Sequence, residues 1–134
     1  MGKIQIYTDG AYSSLRNQGG WAFVVLENDE KIYSDFFPIK DTTNNRMEIQ
    51  AAIEACNWCK KNGYSEVEIF TDSMYLIGTM SKDWKRNKNN DLWEIIDESV
   101  KGLIVKWTHV KGHNGDRYNE LCDALAVEAS KVIF

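Results

Sequence analysis

The order of strand-like and helix-like segments in the first half of the chain restricts the fold more than any other feature of the sequence. In order, these are an alternating apolar run that ends in a turn at Thr8-Asp9-Gly10, strand-like runs at residues 21–26 and 32–37, a helical pattern at residues 44–61 with an asparagine cap, and a strand that ends at Thr71-Asp72. A helix that connects two strands of one sheet usually makes them parallel. The order therefore predicts an antiparallel three-stranded meander that continues into parallel strands.

The second half of the chain adds further segments of both kinds. They are a short helix at residues 73–80, a helix at 91–100, a fifth strand at 103–110 and a final helix at about 118–131. The expected fold class is α/β, with a five-stranded mixed sheet (antiparallel meander plus parallel strands) flanked by helices. Since 43% of the 134 residues are hydrophobic and no stretch resembles a linker, residues 1–134 are expected to form a single domain.

Composition also indicates where the protein works. No apolar run is long enough to span a bilayer and the N-terminal residues do not resemble a signal peptide, so we expect no membrane association and a cytoplasmic location. The three cysteines form no disulfide framework. Cys56 and Cys59 have the CxxC spacing of a redox pair or half a zinc site, but they lie within a helical pattern without a second ligand pair. We interpret them as core residues.

Three acidic residues are expected to meet at one end of the sheet. If the first strand runs up, the third strand also ends at the top, and the long helix begins there with Glu48 about one turn, roughly 6 Å, from its start. The fourth strand runs parallel to the first, so Asp9 and Asp72 lie at the same edge, where ligands bind on such sheets. If the fifth strand also runs up, the last helix adds Asp123.

Carboxylates gathered in this way repel one another unless a cation neutralises them. Oxygen-only ligands favour a hard ion, Mg²⁺ first and Mn²⁺ second. Each acid alone has an ordinary structural explanation, because aspartate is common in turns and glutamate in a first helical turn complements the helix dipole. A metal site is favoured because all of these acids are expected at the same end of the sheet.

Four strings of residues, in order along nearly the whole chain, resemble the type 1 ribonuclease H family. They are TDGAY at residues 8–12, TTNNRMEIQAA at 42–52, TDSMY at 71–75 and VKGHNGDRYNELCDALA at 110–126. The resemblance implies a ribonuclease H-like fold and hydrolysis of the RNA strand of an RNA/DNA hybrid, with 5′-phosphate and 3′-hydroxyl products. It also implies that two divalent ions act in an in-line displacement and that they are held by Asp9, Glu48, Asp72 and Asp123.

The resemblance extends to residues that assist catalysis or bind the substrate. His113 matches a mobile loop histidine associated with proton transfer and product departure, whereas His109 has no such match and is expected on a strand face. Asn44 is placed to sense the 2′-hydroxyl that distinguishes RNA from DNA. The resemblance further implies that Thr43 and Asn45 hold a DNA phosphate and that Met74 and Tyr75 lie in the minor groove. On helical spacing alone, Tyr75 would also fit a core position.

The chain departs from many family members in the segment between Met80 and Asp91, which is shorter than their basic protrusion. This matters because the net charge is −4, which disfavours a general electrostatic grip on nucleic acid. A basic-aromatic cluster remains and is expected to bind the hybrid, although a solvated loop is an equal alternative. Its members are Lys82, Trp84, Lys85, Arg86 and Lys88.

Two other functions are compatible with parts of the sequence. An integrase- or resolvase-like nuclease that cuts duplex DNA would share the fold, but the complete TTNNRME string and the histidine loop favour the hybrid-specific enzyme. A non-catalytic hybrid-binding module docked on a polymerase is the second, and the presence of all four acids argues against it. We expect a monomer, and leave open a dependence on an accessory partner for substrate grip.

Overall fold

The computed structural model describes residues 4–112 and 115–133. Its elements are, in order, β1 Ile4–Ser13, β2 Gln18–Glu27, β3 Glu30–Lys40, α1 Asn44–Lys61, β4 Glu66–Thr71, α2 Met74–Ser81, α3 Asn90–Ser99, β5 Ile104–His109 and α4 Arg117–Ser130. The strands form one sheet in the order β3-β2-β1-β4-β5. The first three are antiparallel neighbours, while β4 runs parallel to both β1 and β5. The predicted α/β class and mixed sheet are confirmed. No helix among the described residues is long and apolar enough to cross a membrane.

The first strand is longer than predicted. We expected a turn at Thr8-Asp9-Gly10, but β1 passes through Asp9 to Ser13 and stays paired with β2 along its whole length beyond Ile4. The expected turn is wrong because Gly19 and Gly20 belong to β2 and pair with Tyr12 and Ala11, which extends the hairpin. Parallel pairing with β4 stops at Tyr7, so Asp9 still lies beyond the parallel part of the sheet.

The start of α1 also differs in one detail. Its N-cap is Thr43, whose hydroxyl accepts a hydrogen bond from the Arg46 amide at 3.1 Å, and not an asparagine. Threonine is a favourable cap because its oxygen satisfies an amide that the helix leaves unpaired. The helix ends as predicted at Asn62-Gly63, where Gly63 adopts a φ of 80°.

The two faces of the sheet are covered by different helices. Alternate β1 residues Ile4 and Ile6 face α1, where the buried Cys56 and Cys59 belong to the same core, as interpreted from the sequence. The opposite face carries Tyr7 and packs against α4. A third cluster joins α1 to α2 and α3 and contains Ile49, Ile53, Leu76, Leu92, Trp93 and Ile96. The alternation of β1 therefore directs its odd-numbered residues, including Asp9, toward α4.

Helix α4 follows β5 but runs in the same direction as β1. Near its start the Tyr118 ring lies 6.0 Å from that of Tyr7, and in its middle the Cys122 thiol donates to the carbonyls of Tyr7 and Ala22. Near its end, α4 passes so close to Gly20 that a side chain there would collide with it. This course carries Asp123 past Asp9 about a turn and a half into the helix.

Asp116 fixes the start of α4. Its carboxylate accepts from the amides of Tyr118 at 3.0 Å and Asn119 at 3.1 Å, and also from the Tyr7 hydroxyl at 3.0 Å. Burial, together with this hydrogen bond, raises the pKa of Tyr7 above its ordinary value, so the hydroxyl remains a donor. The cap and the strand are thereby joined at one side chain.

We predict that Asp116→Ala lowers the free energy of unfolding by about 1–3 kcal/mol, because it removes a helix cap and leaves a half-buried hydroxyl without its acceptor. Asp116→Asn is the matched control, since its side-chain oxygen can still cap the helix, and should lose less. Urea denaturation measures both changes. An alanine variant as stable as the native chain would show that Asp116 does not anchor α4.

Candidate metal centre

Three of the predicted acids meet at the carboxyl end of the parallel strands. Tyr7 of β1 pairs with Phe70 of β4, so Asp9 and Asp72 both lie two residues beyond the last parallel pair. One carboxylate oxygen from each of Asp9, Glu48 and Asp72 lies within 4.8 Å of the others. Asp9 and Glu48 are buried, whereas Asp72 is half-buried. The convergence expected from the strand directions is therefore present in the fold.

Asp123 borders this group from the α4 side. Its side chain is half-buried and close enough for its charge to raise the pKa of Asp9, but it does not belong to the group of three that the 4.8 Å distance defines among the described residues. We call Asp9, Glu48, Asp72 and Asp123 the acidic cluster. Sequence reasoning identified all of its members.

Two glycines allow the backbone to approach these carboxylates, and sequence reasoning did not assign them this role. A side chain at Gly10 would lie 2.6 Å from the backbone of Met47 and Glu48, so the absence of a side chain lets α1 rest directly on β1. The Gly10 amide also donates to Asp9 at 2.9 Å. Gly112 is similarly close to Asp72, since a Cβ there would lie 2.9 Å from its carboxylate. The only sequence signal was that Gly10 and Gly112 each lie within a matched string.

Burial and mutual repulsion disfavour the charged forms of these acids. Burial, followed by the charges of Asp72 and Asp123, raises the pKa of Asp9 from 3.8 to about 8, although the Gly10 amide opposes the shift. Burial and the charges of Asp9 and Asp72 raise the pKa of Glu48 well above its ordinary value. In the absence of metal, the contribution of Asp9 to the free energy of unfolding is therefore fully present below about pH 4. It is lost as the pH rises through about 8.

The donor set fits a hard divalent cation. Oδ2 of Asp9 and Oε1 of Glu48 are buried and have no hydrogen-bond donor among the described residues, unless a neighbouring carboxyl carries a proton. Unsatisfied buried carboxylate oxygens are costly, and a cation satisfies them while it removes the repulsion. Oxygen ligands alone suit Mg²⁺ or Mn²⁺.

The expected substrate-binding residues lie near the starts of α1 and α2. Thr43, Asn44 and Asn45 are exposed, and the Thr43 hydroxyl is already used as the cap of α1. Met74 is exposed, whereas Tyr75 packs against Trp93 with ring centroids 5.4 Å apart. The core contact that the helical spacing of Tyr75 allowed is therefore present.

Four of the five members of the basic-aromatic cluster divide into two groups. Lys85 and Lys88 line a cavity of about 230 Å³ together with Asn45, Tyr75, Asn87 and Asn89. Arg86 instead pairs with Asp97, and the indole of Trp84 covers Gly78 of α2. His109 ends β5 and is exposed, while His113 lies outside the described residues. The structure thus gathers the two lysines beside Asn45 and pairs Arg86 with Asp97, while Trp84 packs on Gly78 and remains 45% exposed.

Comparison with known proteins gives a consistent result. The family model described as RNase H matches residues 1–131. A ribonuclease H of Acetivibrio thermocellus is 40% identical, with 98% of this chain and 97% of the relative covered. A ribonuclease H of a Cyanothece species is also 40% identical, over 91% of this chain and 85% of its own.

Solved structures of similar proteins share the fold. The RNase H1 of the halophilic archaeon Halobacterium salinarum superposes with a TM-score of 0.83 at 27% identity, covering 96% of this chain and 97% of that one. An N-terminal RNase H domain from Mycobacterium tuberculosis superposes with a TM-score of 0.84 at 22% identity and covers 96% and 93%. The second likeness concerns the fold alone.

We predict that Mg²⁺ raises the melting temperature of the metal-free chain at pH 8 by several degrees, because binding to the folded state alone stabilises it. Asp72→Asn should melt higher than the native chain in EDTA, since it removes one repelling charge, and should gain less from Mg²⁺. Glu94→Gln neutralises an exposed acid on α3 and serves as the control. A native melting temperature that does not respond to Mg²⁺ would contradict a metal site here.

Proposed function

Because the chain belongs to the ribonuclease H family, whose members are nucleases that act on RNA/DNA hybrids, we propose that it hydrolyses the RNA strand with two Mg²⁺ ions at the acidic cluster. The observation that carries the proposal is the meeting of Asp9, Glu48 and Asp72 within 4.8 Å. Mn²⁺ is the expected substitute. We further propose that the chain acts as a cytoplasmic monomer and releases products with 5′-phosphate and 3′-hydroxyl ends.

The acidic cluster supplies ligands from three directions. Asp9 and Asp72 extend from adjacent parallel strands. Glu48 lies in the first part of α1, so the packing of α1 on Gly10 fixes the position of its carboxylate. Asp123 completes the cluster from α4. Bound there, divalent cations supply Lewis acidity to the attacking water and to the leaving 3′ oxygen. The protein contributes fixed geometry and a buried setting in which charge interactions are strong.

The start of α1 suits recognition of the hybrid. Asn44 is exposed at its first position, about one turn before Glu48, which supports a contact with the RNA 2′-hydroxyl close to the acidic cluster. Asn45 opens onto the cavity with the two lysines, and we assign it a DNA phosphate. Thr43 caps α1, and the positive end of this helix would favour binding of the same phosphate. Met74 and Tyr75 are assigned to the minor groove.

Asp72→Asn should fold and yet lose nearly all cleavage, because a neutral amide cannot replace a charged carboxylate as a ligand for divalent cations. The assay compares labelled RNA/DNA hybrid, duplex DNA and duplex RNA in Mg²⁺, with Glu94→Gln as a charge-matched control that should cleave the hybrid normally. Near-native turnover by a folded Asp72→Asn chain would falsify the site assignment. Preferential cleavage of duplex DNA would instead favour a resolvase-like enzyme.

We propose that His113 assists proton transfer and product departure. His113→Ala should lower kcat about 10- to 100-fold without abolishing cleavage, since a proton-transfer group contributes less than the metal ligands. Hybrid affinity should change little, because the histidine is not assigned to the binding surface. Single-turnover and steady-state rates measured between pH 6 and 9 test this, and unchanged turnover across that range would leave His113 without a catalytic part.

A further inference from the structure

The loop between α2 and α3, residues 82–89, carries the lysines that line the cavity beside Asn45. We propose that Asp97 of α3 is a positioning residue for hybrid binding, because it holds Arg86 and thereby keeps Lys85 and Lys88 directed at that cavity. The inference rests on the proposed function. It gives Arg86 a role different from the sequence-based expectation, in which Arg86 belonged to the cluster that binds the hybrid.

The guanidinium of Arg86 contacts three side chains of the protein and remains about one-third exposed. Its two terminal nitrogens donate to the two oxygens of Asp97 at 2.6 and 3.1 Å, and one of them also contacts the Met80 sulfur at 3.8 Å. The same group lies 5.4 Å above the Trp93 ring. The paired oxygens of Asp97 and the aromatic face of Trp93 together favour one orientation of the planar guanidinium. Arg86 is therefore directed toward α3.

Other contacts fix the loop on either side of Arg86. The Trp84 amide donates to the Gly78 carbonyl at 3.1 Å, and its indole fills the space that a side chain at Gly78 would occupy. The Trp93 indole donates to the Lys88 carbonyl at 3.0 Å. The loop is thus attached to α2 before Arg86 and to α3 after it.

Asn89 closes the loop against the start of α1. Its side chain accepts from Arg46 at 3.2 Å and donates to the Tyr75 hydroxyl at 3.0 Å. A φ of 62° at Asn89 turns the chain there into α3. Between these attachments, Lys85 and Lys88 are exposed and border the cavity of about 230 Å³. Two ammonium groups beside an asparagine at a helix start suit one phosphate of a nucleic-acid strand.

The two roles available to Arg86 predict opposite effects when Asp97 is neutralised. The chain has a net charge of −4, so removal of an acid by itself favours nucleic-acid binding. If Arg86 were a phosphate ligand, its release from Asp97 would strengthen binding further. If the pair positions the loop, Asp97→Asn loosens Lys85 and Lys88 and weakens binding despite the gain in positive charge.

The experiment compares KM, kcat and salt dependence for hybrid cleavage by the native chain, Asp97→Asn and Glu94→Gln. Glu94 lies on the same helix, is exposed and undergoes the same change of charge. We expect Asp97→Asn to raise KM about 3- to 10-fold with kcat unchanged, and to flatten the log-log salt dependence by up to about one unit. Glu94→Gln should keep the native KM or lower it slightly.

Arg86→Lys is the second variant, because it retains the charge but loses the paired contact with Asp97. The positioning role predicts the same rise in KM, and a double variant with Asp97→Asn no worse than either single change. A native or lower KM in Asp97→Asn would overturn the inference while leaving the proposed function intact. Absence of hybrid cleavage by the native chain and by Glu94→Gln would overturn the proposed function, and the inference with it.

Discussion

Repulsion between buried carboxylates is the constraint on which the rest of the structure depends. Folding brings Asp9, Glu48 and Asp72 within 4.8 Å and leaves two of their oxygens without a donor among the described residues. Such a cluster is unfavourable by itself, so the parallel pairing of β1 with β4, the packing of α1 on Gly10 and the anchoring of α4 must hold it in place. A bound cation relieves this repulsion, and this relief favours cation binding.

The proposed function separates substrate binding from chemistry. The acidic cluster lies at the end of the sheet, whereas Lys85 and Lys88, which we propose bind nucleic acid, lie on a short loop attached to α2 and α3. In an acidic protein a few positive charges can act only if they are held at a suitable place. Contacts within the protein, made by Arg86, Trp84 and Asn89, hold the loop against the neighbouring helices.

Strand directions explain why the site could be predicted from the sequence. The crossover through α1 makes β1 and β4 parallel, so Asp9 and Asp72 share an edge whatever the details of packing. Pairing partners were harder to predict, because alternation within β1 carries no information about Gly19 and Gly20 opposite it. The pairing of Asp97 with Arg86 was not predicted either. Arg86 lies eleven positions earlier, and the sequence pattern around a helical aspartate does not indicate its partner.

Analysis of the product ends tests the central claim most directly. If water attacks the phosphodiester at the acidic cluster, a labelled hybrid should yield 5′-phosphate and 3′-hydroxyl termini, and EDTA should stop the reaction. Attack by the neighbouring 2′-hydroxyl leaves a 5′-hydroxyl and a cyclic phosphate. We expect 5′-phosphate and 3′-hydroxyl ends with Mg²⁺ and no cleavage in EDTA. Cyclic phosphate ends, or cleavage that persists in EDTA, would contradict it.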